Sequence, residues 1–261
     1  MLKCCSLFSG SSGNSFLVKS ENATILIDAG VSLRKITTAL LSFNIDISDI
    51  DGILISHEHI DHTKSIAAIS LKYDIPIYAN KETLSAFDST KIPAKNINLF
   101  QVENSFYIKD ILITPFSTPH DAASPCGFEI SDNLSSLCIA TDLGHVTPKI
   151  YKHFENCSFL MLESNYEPDI LKISSYPYLL KQRISSDVGH LSNQSAAETI
   201  YKLAGGKLNQ ALLIHLSKEN NIPEIALATI HEKLSTDPSL QKSLNVFVAP
   251  RDNPSTMFNV S

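Results

Sequence analysis

The stretch Ile53-Leu54-Ile55-Ser56-His57-Glu58-His59-Ile60-Asp61-His62 decides how this chain is read. Residues 51–56 form a short apolar run that reads as a buried strand, and His57 stands at its C-terminal end. Imidazole and carboxylate are the groups that bind zinc and related first-row metals. His57 and His59 are two positions apart, so in extended chain their side chains point the same way. Asp61 and His62 come from the following turn and can face a second ion. Four donors within so short a stretch suit two neighbouring ions rather than one closed structural site.

Outward from this stretch the same pattern recurs. Asp28 follows Ile25-Leu26-Ile27, Asp142 follows Ile139-Ala140-Thr141, Glu163 follows Leu160-Met161-Leu162, and His215 follows Leu212-Leu213-Ile214. Polar groups placed at one end of a sheet can converge on one site. A carboxylate standing between two ions would bridge them, and Asp142 is the candidate.

The remaining pattern organises the fold. Strands are expected over 2–9, 15–19 and 23–28, with the turn Ser9-Gly10-Ser11-Ser12-Gly13-Asn14 between the first two. Ser32 is a plausible helix N-cap, followed by Leu33, Ile36, Leu40 and Phe43 at helical spacing. The middle is β-rich, with strands over 105–108, 111–114, 127–130, 136–140 and 159–162. A helix over 195–203 is expected to start with a capping box, Ser195 and Glu198, and to stop at Gly205. A further helix covers 223–234, with Pro223 in its first turn. No repeat or flexible linker divides the chain, so residues 1–261 read as one α/β (α+β) domain of two sheets with helices outside.

Composition narrows the function classes. The 261 residues are 43% hydrophobic and 18% charged, with a formal net charge of -6. That balance disfavours a protein that coats nucleic acid with a uniformly basic surface. The five cysteines are odd in number and lack paired spacing, which fits a reducing, cytoplasmic compartment better than a disulfide framework. No apolar run approaches the ~20 residues that cross a bilayer, so no membrane association is expected.

His-x-His-x-Asp-His after an apolar strand resembles the signature of the metallo-β-lactamase superfamily. Its other motifs follow in order: Ile27-Asp28-Ala29-Gly30, Thr118-Pro119-His120-Asp121, Thr141-Asp142-Leu143-Gly144 and Ile214-His215-Leu216-Ser217. Glu163 and Gly189-His190-Leu191-Ser192-Asn193 are similar to the phosphodiesterase branch that contains tRNase Z. With the Ser9-Gly10-Ser11-Ser12-Gly13-Asn14-Ser15 loop, the whole looks most like the bacterial YycJ/WalJ-type group, which is linked to 5′-to-3′ DNA nuclease activity.

The resemblance implies a four-layer αβ/βα sandwich and two divalent ions, zinc or manganese, with iron also permitted by the ligand types. One ion would take His57, His59 and His120, the other Asp61, His62 and His215, with Asp142 bridging. Water held between the ions would attack phosphorus, with Asp61 orienting it. Asp28 would sit behind the ligands and fix an imidazole. His190, supported by Glu163, would protonate the leaving oxygen. The expected partner is nucleic acid, DNA above all, or another phosphodiester.

Only 47 residues lie between Asp142 and His190, too few for the inserted domain of the β-CASP nucleases. Substrate contacts are instead expected from Ser12 and Asn14, and from a lid over 172–183 with Tyr176, Tyr178, Lys181 and Arg183. Basic and aromatic side chains together suit single-stranded nucleic acid. The alternatives are a small-molecule (cyclic) phosphodiesterase, a lactonase or thioesterase, and a non-catalytic metal-binding scaffold. Flavin-using di-iron oxidoreductases share the fold, but they typically place Glu where His59 stands. His145, His153 and His231 read as surface residues, and Cys126, Cys138 and Cys157 as small core residues.

Overall fold

A computed structural model describes residues 1–237, 240 and 244–260. Residue 261, the last of the expected single domain, lies outside the described residues. The first sheet contains β1 (Lys3–Phe8), β2 (Ser15–Lys19), β3 (Thr24–Ile27), β4 (Gly52–Leu54), β5 (Ile77–Ala79) and β6 (Ile97–Leu99), with β14 (Phe258–Asn259) beside β1. The second runs in chain order from β7 (Phe106–Ile108) through β8 (Ile111–Ser117), β9 (Cys126–Ser131), β10 (Ser136–Ala140), β11 (Phe159–Glu163) and β12 (Gln210–Ile214) to β13 (Asn245–Val248).

Each sheet opens as an antiparallel meander and continues as parallel strands. β1 to β3 are antiparallel, whereas β3 to β6 run parallel. β7 to β10 are antiparallel, whereas β10 to β13 run parallel. Parallel neighbours need crossover connections, usually helical. Here they include α1 (Leu33–Leu41), α3 (Ile66–Tyr73), α5 (Pro148–Phe154), α8 (Asn193–Leu203) and α9 (Pro223–Ser235).

Alternation along the strands builds the layers, because successive side chains point to opposite faces. In β3, Ile25 and Ile27 join the apolar cluster between the sheets, while Leu26 packs with Ile36, Leu40 and Ile69 of α1 and α3. In β12, Leu212 and Ile214 join the same central cluster, while Ala211 and Leu213 pack with Ala196 and Ile200 of α8 and Ile230 of α9. Strands buried on both faces read as continuous apolar runs, which is why β3, β11 and β12 stand out in the sequence. The result is helix, sheet, sheet, helix: the four-layer sandwich. Among the described residues, no helix is long and apolar enough to cross a membrane.

Two readings are corrected. The cap of α8 is Ser192, whose Oγ accepts from Ser195 N–H at 3.1 Å, not Ser195. The helix therefore starts at Asn193, two residues earlier than expected, and Glu198, too far from this cap to box it, pairs with Lys233 of α9. His153 is half-buried rather than a surface residue. It stacks on Phe116 with ring centroids 4.8 Å apart and lies 2.7 Å from Glu129 Oε2. The stretch expected as a lid runs from the end of one short helix, α6 (Pro168–Ile173), through most of a second, α7 (Tyr178–Ile184).

Candidate metal centre

The parallel strands deliver the titratable groups. Asp28 and His215 directly follow β3 and β12, and Asp142 stands two residues past the end of β10. Each adopts a left-handed backbone, with φ of 61° for Asp28 and 55° for both Asp142 and His215. That region is uncommon for residues other than glycine, though Asp and His enter it more readily than most. Each such residue costs ~1–3 kcal/mol and persists only where its surroundings over-determine it. His215 shows how. Its N–H donates to Ser9 Oγ at 2.7 Å, and its carbonyl accepts from Asn165 Nδ2 at 2.9 Å.

His57 emerges past β4, and α2 (Ile60–Thr63) begins directly after His59, carrying Asp61 and His62 on its single turn. Gly30 lets the neighbouring loop pass against this turn. A Cβ there would stand 1.6 Å from the Asp61 carbonyl oxygen. His120 follows β8 on the loop leading to β9.

Two groups of donors result. In the first, His57 Nε2 lies 3.1 Å from His59 Nδ1, which lies 3.4 Å from His120 Nε2. His120 gives its Nδ1–H to the Gly189 carbonyl at 3.0 Å, so its Nε2 presents a lone pair. Ser56 Oγ donates to Asp28 Oδ2, so it accepts from His57 Nδ1–H at 3.0 Å and leaves His57 Nε2 as a second lone pair. Two lone pairs turned toward a third ring nitrogen call for a cation among them. Imidazoles fixed from behind by a carbonyl and by a serine–carboxylate relay are the usual support of metal-ligating histidine. The donor set therefore fits a divalent metal ion.

In the second group, His62 Nε2 lies 3.1 Å from Asp142 Oδ2 and 3.5 Å from Asp61 Oδ2. His215 Nδ1 lies 2.8 Å from the same Asp142 oxygen and 2.7 Å from Thr141 Oγ1. The other Asp142 oxygen faces His120 Nε2 and His190 Nδ1, each at 3.6 Å. Asp142 thus touches both groups. Asp28 lies behind the second, with Oδ2 2.7 Å from His62 Nδ1 and Oδ1 accepting from Ser56 N–H at 2.9 Å.

The electrostatics follow from burial and these contacts. Burial works against the His62 cation, but Asp28 and Asp142 outweigh it and hold the pKa well above the ordinary value. Burial and the neighbouring His62 push His57 well below it. Burial opposes the Asp142 carboxylate, yet His215 and His62 pull its pKa well below the usual range. For His190, burial is outweighed by Glu163, which raises the imidazole to about 9. Glu163 is fully buried. Its Oε1 lies 2.8 Å from His190 Nδ1, and its Oε2 accepts from Leu143 N–H at 3.0 Å and Leu191 N–H at 3.1 Å.

The expected substrate contacts are placed differently. Asn14 is buried and turns inward: Nδ2 lies 3.0 Å from His62 Nε2 and 3.5 Å from Asp61 Oδ2, while Oδ1 accepts from Gly10 N–H. Ser12 is exposed on the same loop. Lys181 Nζ donates to the Lys172 and Ser174 carbonyls at 2.8 and 2.7 Å, and Arg183 is paired with Asp121. Neither is drawn into the donor groups. Asp121 Oδ1 stands 3.3 Å from His120 Nε2, so Arg183 lies one contact removed from the centre.

Sequence reading passed over Ser9, Ser56, Asp121, Thr141 and Asn165. Ser56, Asp121 and Thr141 each adjoin an expected ligand, which is a usable signal. Ser9 and Asn165 meet His215 only through the fold.

Comparison with known proteins bears on the same residues. The family described as "Beta-lactamase superfamily domain" matches residues 23–216. Exodeoxyribonuclease WalJ of Streptococcus pneumoniae serotype 2 is 37% identical over 233 residues, 88% of this chain and 87% of the relative. Exodeoxyribonuclease YycJ of Bacillus anthracis is 33% identical over 230 residues, 87% of each chain. The solved metallo-β-lactamase fold protein YhfI from Bacillus subtilis superposes with a TM-score of 0.75 over 97% of this chain and 98% of its own. At 18% identity that is a likeness of fold alone.

Proposed function

This chain belongs to the β-lactamase superfamily, and from that membership we propose that it is a metal-dependent exodeoxyribonuclease. The carrying observation is the convergence of His57, His59, His62, His120, Asp142 and His215 in one buried centre beside the Glu163–His190 pair. The two exodeoxyribonucleases aligned over most of their length supply the substrate class.

In this reading His57, His59 and His120 hold one ion. Asp61, His62 and His215 hold the other, and Asp142 serves both. The imidazole-rich set suits zinc, and manganese or iron are compatible with it. Bound divalent ions supply Lewis acidity, acidifying water and offsetting charge on a phosphodiester. Asp28 fixes His62 directly and His57 through Ser56. Asp61, partly open to solvent, accepts a hydrogen bond from the attacking water and orients it.

His190 gives Nδ1–H to Glu163, which leaves Nε2 to pass a proton to the departing 3′ or 5′ oxygen. Glu163 also holds the backbone beyond Asp142 and beyond His190, so the proton donor and the shared carboxylate keep one spacing. A phosphate contact from exposed Ser12 and a 5′-to-3′ direction are part of the proposal. All five cysteines are free thiols, which supports a reducing, cytoplasmic setting.

The test is incubation of purified protein with linear DNA labelled at either end, and with covalently closed circular DNA. Metal-dependent shortening of the linear DNA, with the circle spared, is expected. Nicking of the circle, or no cleavage of either, would reject exonuclease action.

A further inference from the structure

Beyond the donor groups, the residues after β11 build a second feature. Tyr166, Leu171 and Ile184 form a small apolar cluster with Tyr176 and Leu180, separate from the three that make the layers. This cluster joins α6 to α7 and leaves a groove of about 500 Å³ between them. Tyr166, Leu171, Tyr176 and Tyr178 line it, with Lys172 and Lys181 at the same walls. Tyr178 is 72% exposed, so its ring is presented rather than packed.

The segments that line the groove are tied to those of the centre through the backbone. His190 N–H donates to the carbonyl of Ile184, the last residue of α7, at 2.8 Å. Gly189 makes that approach possible, since a Cβ there would stand 2.2 Å from the Arg183 carbonyl oxygen. Tyr166 lies three residues past Glu163 and bridges to Ser192, two residues past His190. The wall and floor of the groove are thus built from the same segments that hold Glu163 and His190.

Chemistry selects the occupant. Flat aromatic rings accept the face of any nucleobase, and a lysine beside them accepts the adjoining phosphate. Lys181 spends two of its three N–H donors on the Lys172 and Ser174 carbonyls, which fixes the ammonium and leaves one donor for a phosphate oxygen. In a chain of net charge -6, two lysines beside exposed Tyr178 and half-buried Tyr176 mark a local site for an anion that carries a ring.

We propose that this groove binds one unstacked base of the DNA strand, seated against Tyr176 and Tyr178 with its phosphate toward Lys172 and Lys181. The inference rests on the exodeoxyribonuclease reading and adds a strand-holding subsite to it. A base held there keeps the frayed strand aligned with the centre between cleavage steps.

The test compares wild type, Tyr178→Ala and Tyr176→Ala/Tyr178→Ala on a single-stranded oligonucleotide, on the same oligonucleotide carrying abasic positions near its processed end, and on bis-p-nitrophenyl phosphate. The small ester has no base to place in the groove. Base stacking on one aromatic ring is worth roughly tenfold in binding. The expected result is a KM for the oligonucleotide raised about tenfold by the tyrosine variants, with hydrolysis of the small ester unchanged. An abasic substrate should cost the wild type a similar factor and the variants nothing further. Variants that keep the wild-type KM on DNA, or that lose the small ester equally, would overturn the groove alone. Wild-type protein that hydrolyses the small ester but neither binds nor cleaves DNA would overturn the exodeoxyribonuclease reading and the groove with it.

Discussion

His190 Nδ1 stands 2.8 Å from Glu163 Oε1, while the other oxygen of the same buried carboxylate accepts from the backbone of Leu143 and Leu191. One side chain therefore sets the distance between the loop carrying Asp142 and the loop carrying His190. It also engages Nδ1 of His190 and leaves Nε2 as the other ring nitrogen.

That arrangement predicts a split between substrates. A DNA leaving group departs as a poor alkoxide and needs a proton, whereas p-nitrophenolate does not. His190→Ala should lower turnover on DNA by about 10²–10⁴-fold, yet leave bis-p-nitrophenyl phosphate hydrolysis and metal content near wild type. Steady-state kinetics on both substrates provides the check. Equal losses on the two would remove the proton-donor role.

His215 yields a second prediction. Its left-handed backbone is held by Ser9 Oγ and Asn165 Nδ2. Asn165→Ala should orphan the buried His215 carbonyl and cost ~1–3 kcal/mol of stability. If Asn165 positions a ligand, metal affinity should fall by about 10–100-fold as well. Metal titration of folded protein separates the two effects, because a purely structural role would leave the affinity intact.

Why some of this was legible in the sequence, and some not, follows from range. β3, β11 and β12 are apolar on both faces, and Asp28, Glu163 and His215 mark where each run ends. Local pattern carried that information. The short strands β6 and β14 carry almost none, since few of their residues face the core. The inward turn of Asn14 was not legible either, because only the folded hairpin brings its amide to His62 and Asp61. Asn165 reaches His215 across 50 positions, and Ser9 reaches it across 206. Contacts at such separations exist only once the sheets have formed.

Acid sensitivity is expected at Glu103, which ties the start of α5 to β8. Burial opposes its carboxylate, but Lys149 at 2.9 Å and the Ser117 N–H outweigh it and hold the pKa below the ordinary value. A depressed carboxylate pKa adds stability above the unfolded value of about 4.3, and that stability is lost as pH falls through the folded value. Glu103→Gln should therefore destabilise by under ~1 kcal/mol near neutrality, because the pair is partly solvated. Urea midpoints of the two proteins should converge in acid. A gap that persists unchanged there would assign the effect to packing.

The thiols should be silent in the native protein. Burial raises Cys4, Cys126 and Cys138 well above the ordinary thiol value and Cys5 to about 12, and Cys157 is buried as well. The thiolate is the reactive form. Native protein should resist iodoacetamide at mildly alkaline pH, and denatured protein should take up five equivalents. Rapid labelling of the native chain would show that these strands open.

The most direct measurement is the metal content of the purified chain by mass spectrometry, with DNA hydrolysis assayed on the same sample, for wild type and His59→Ala. Wild type should carry about two divalent ions per chain and shorten linear DNA. His59→Ala should lose metal and cleavage together. Wild-type protein that holds its metals and leaves DNA untouched, or a His59→Ala protein that still degrades it, would contradict the account.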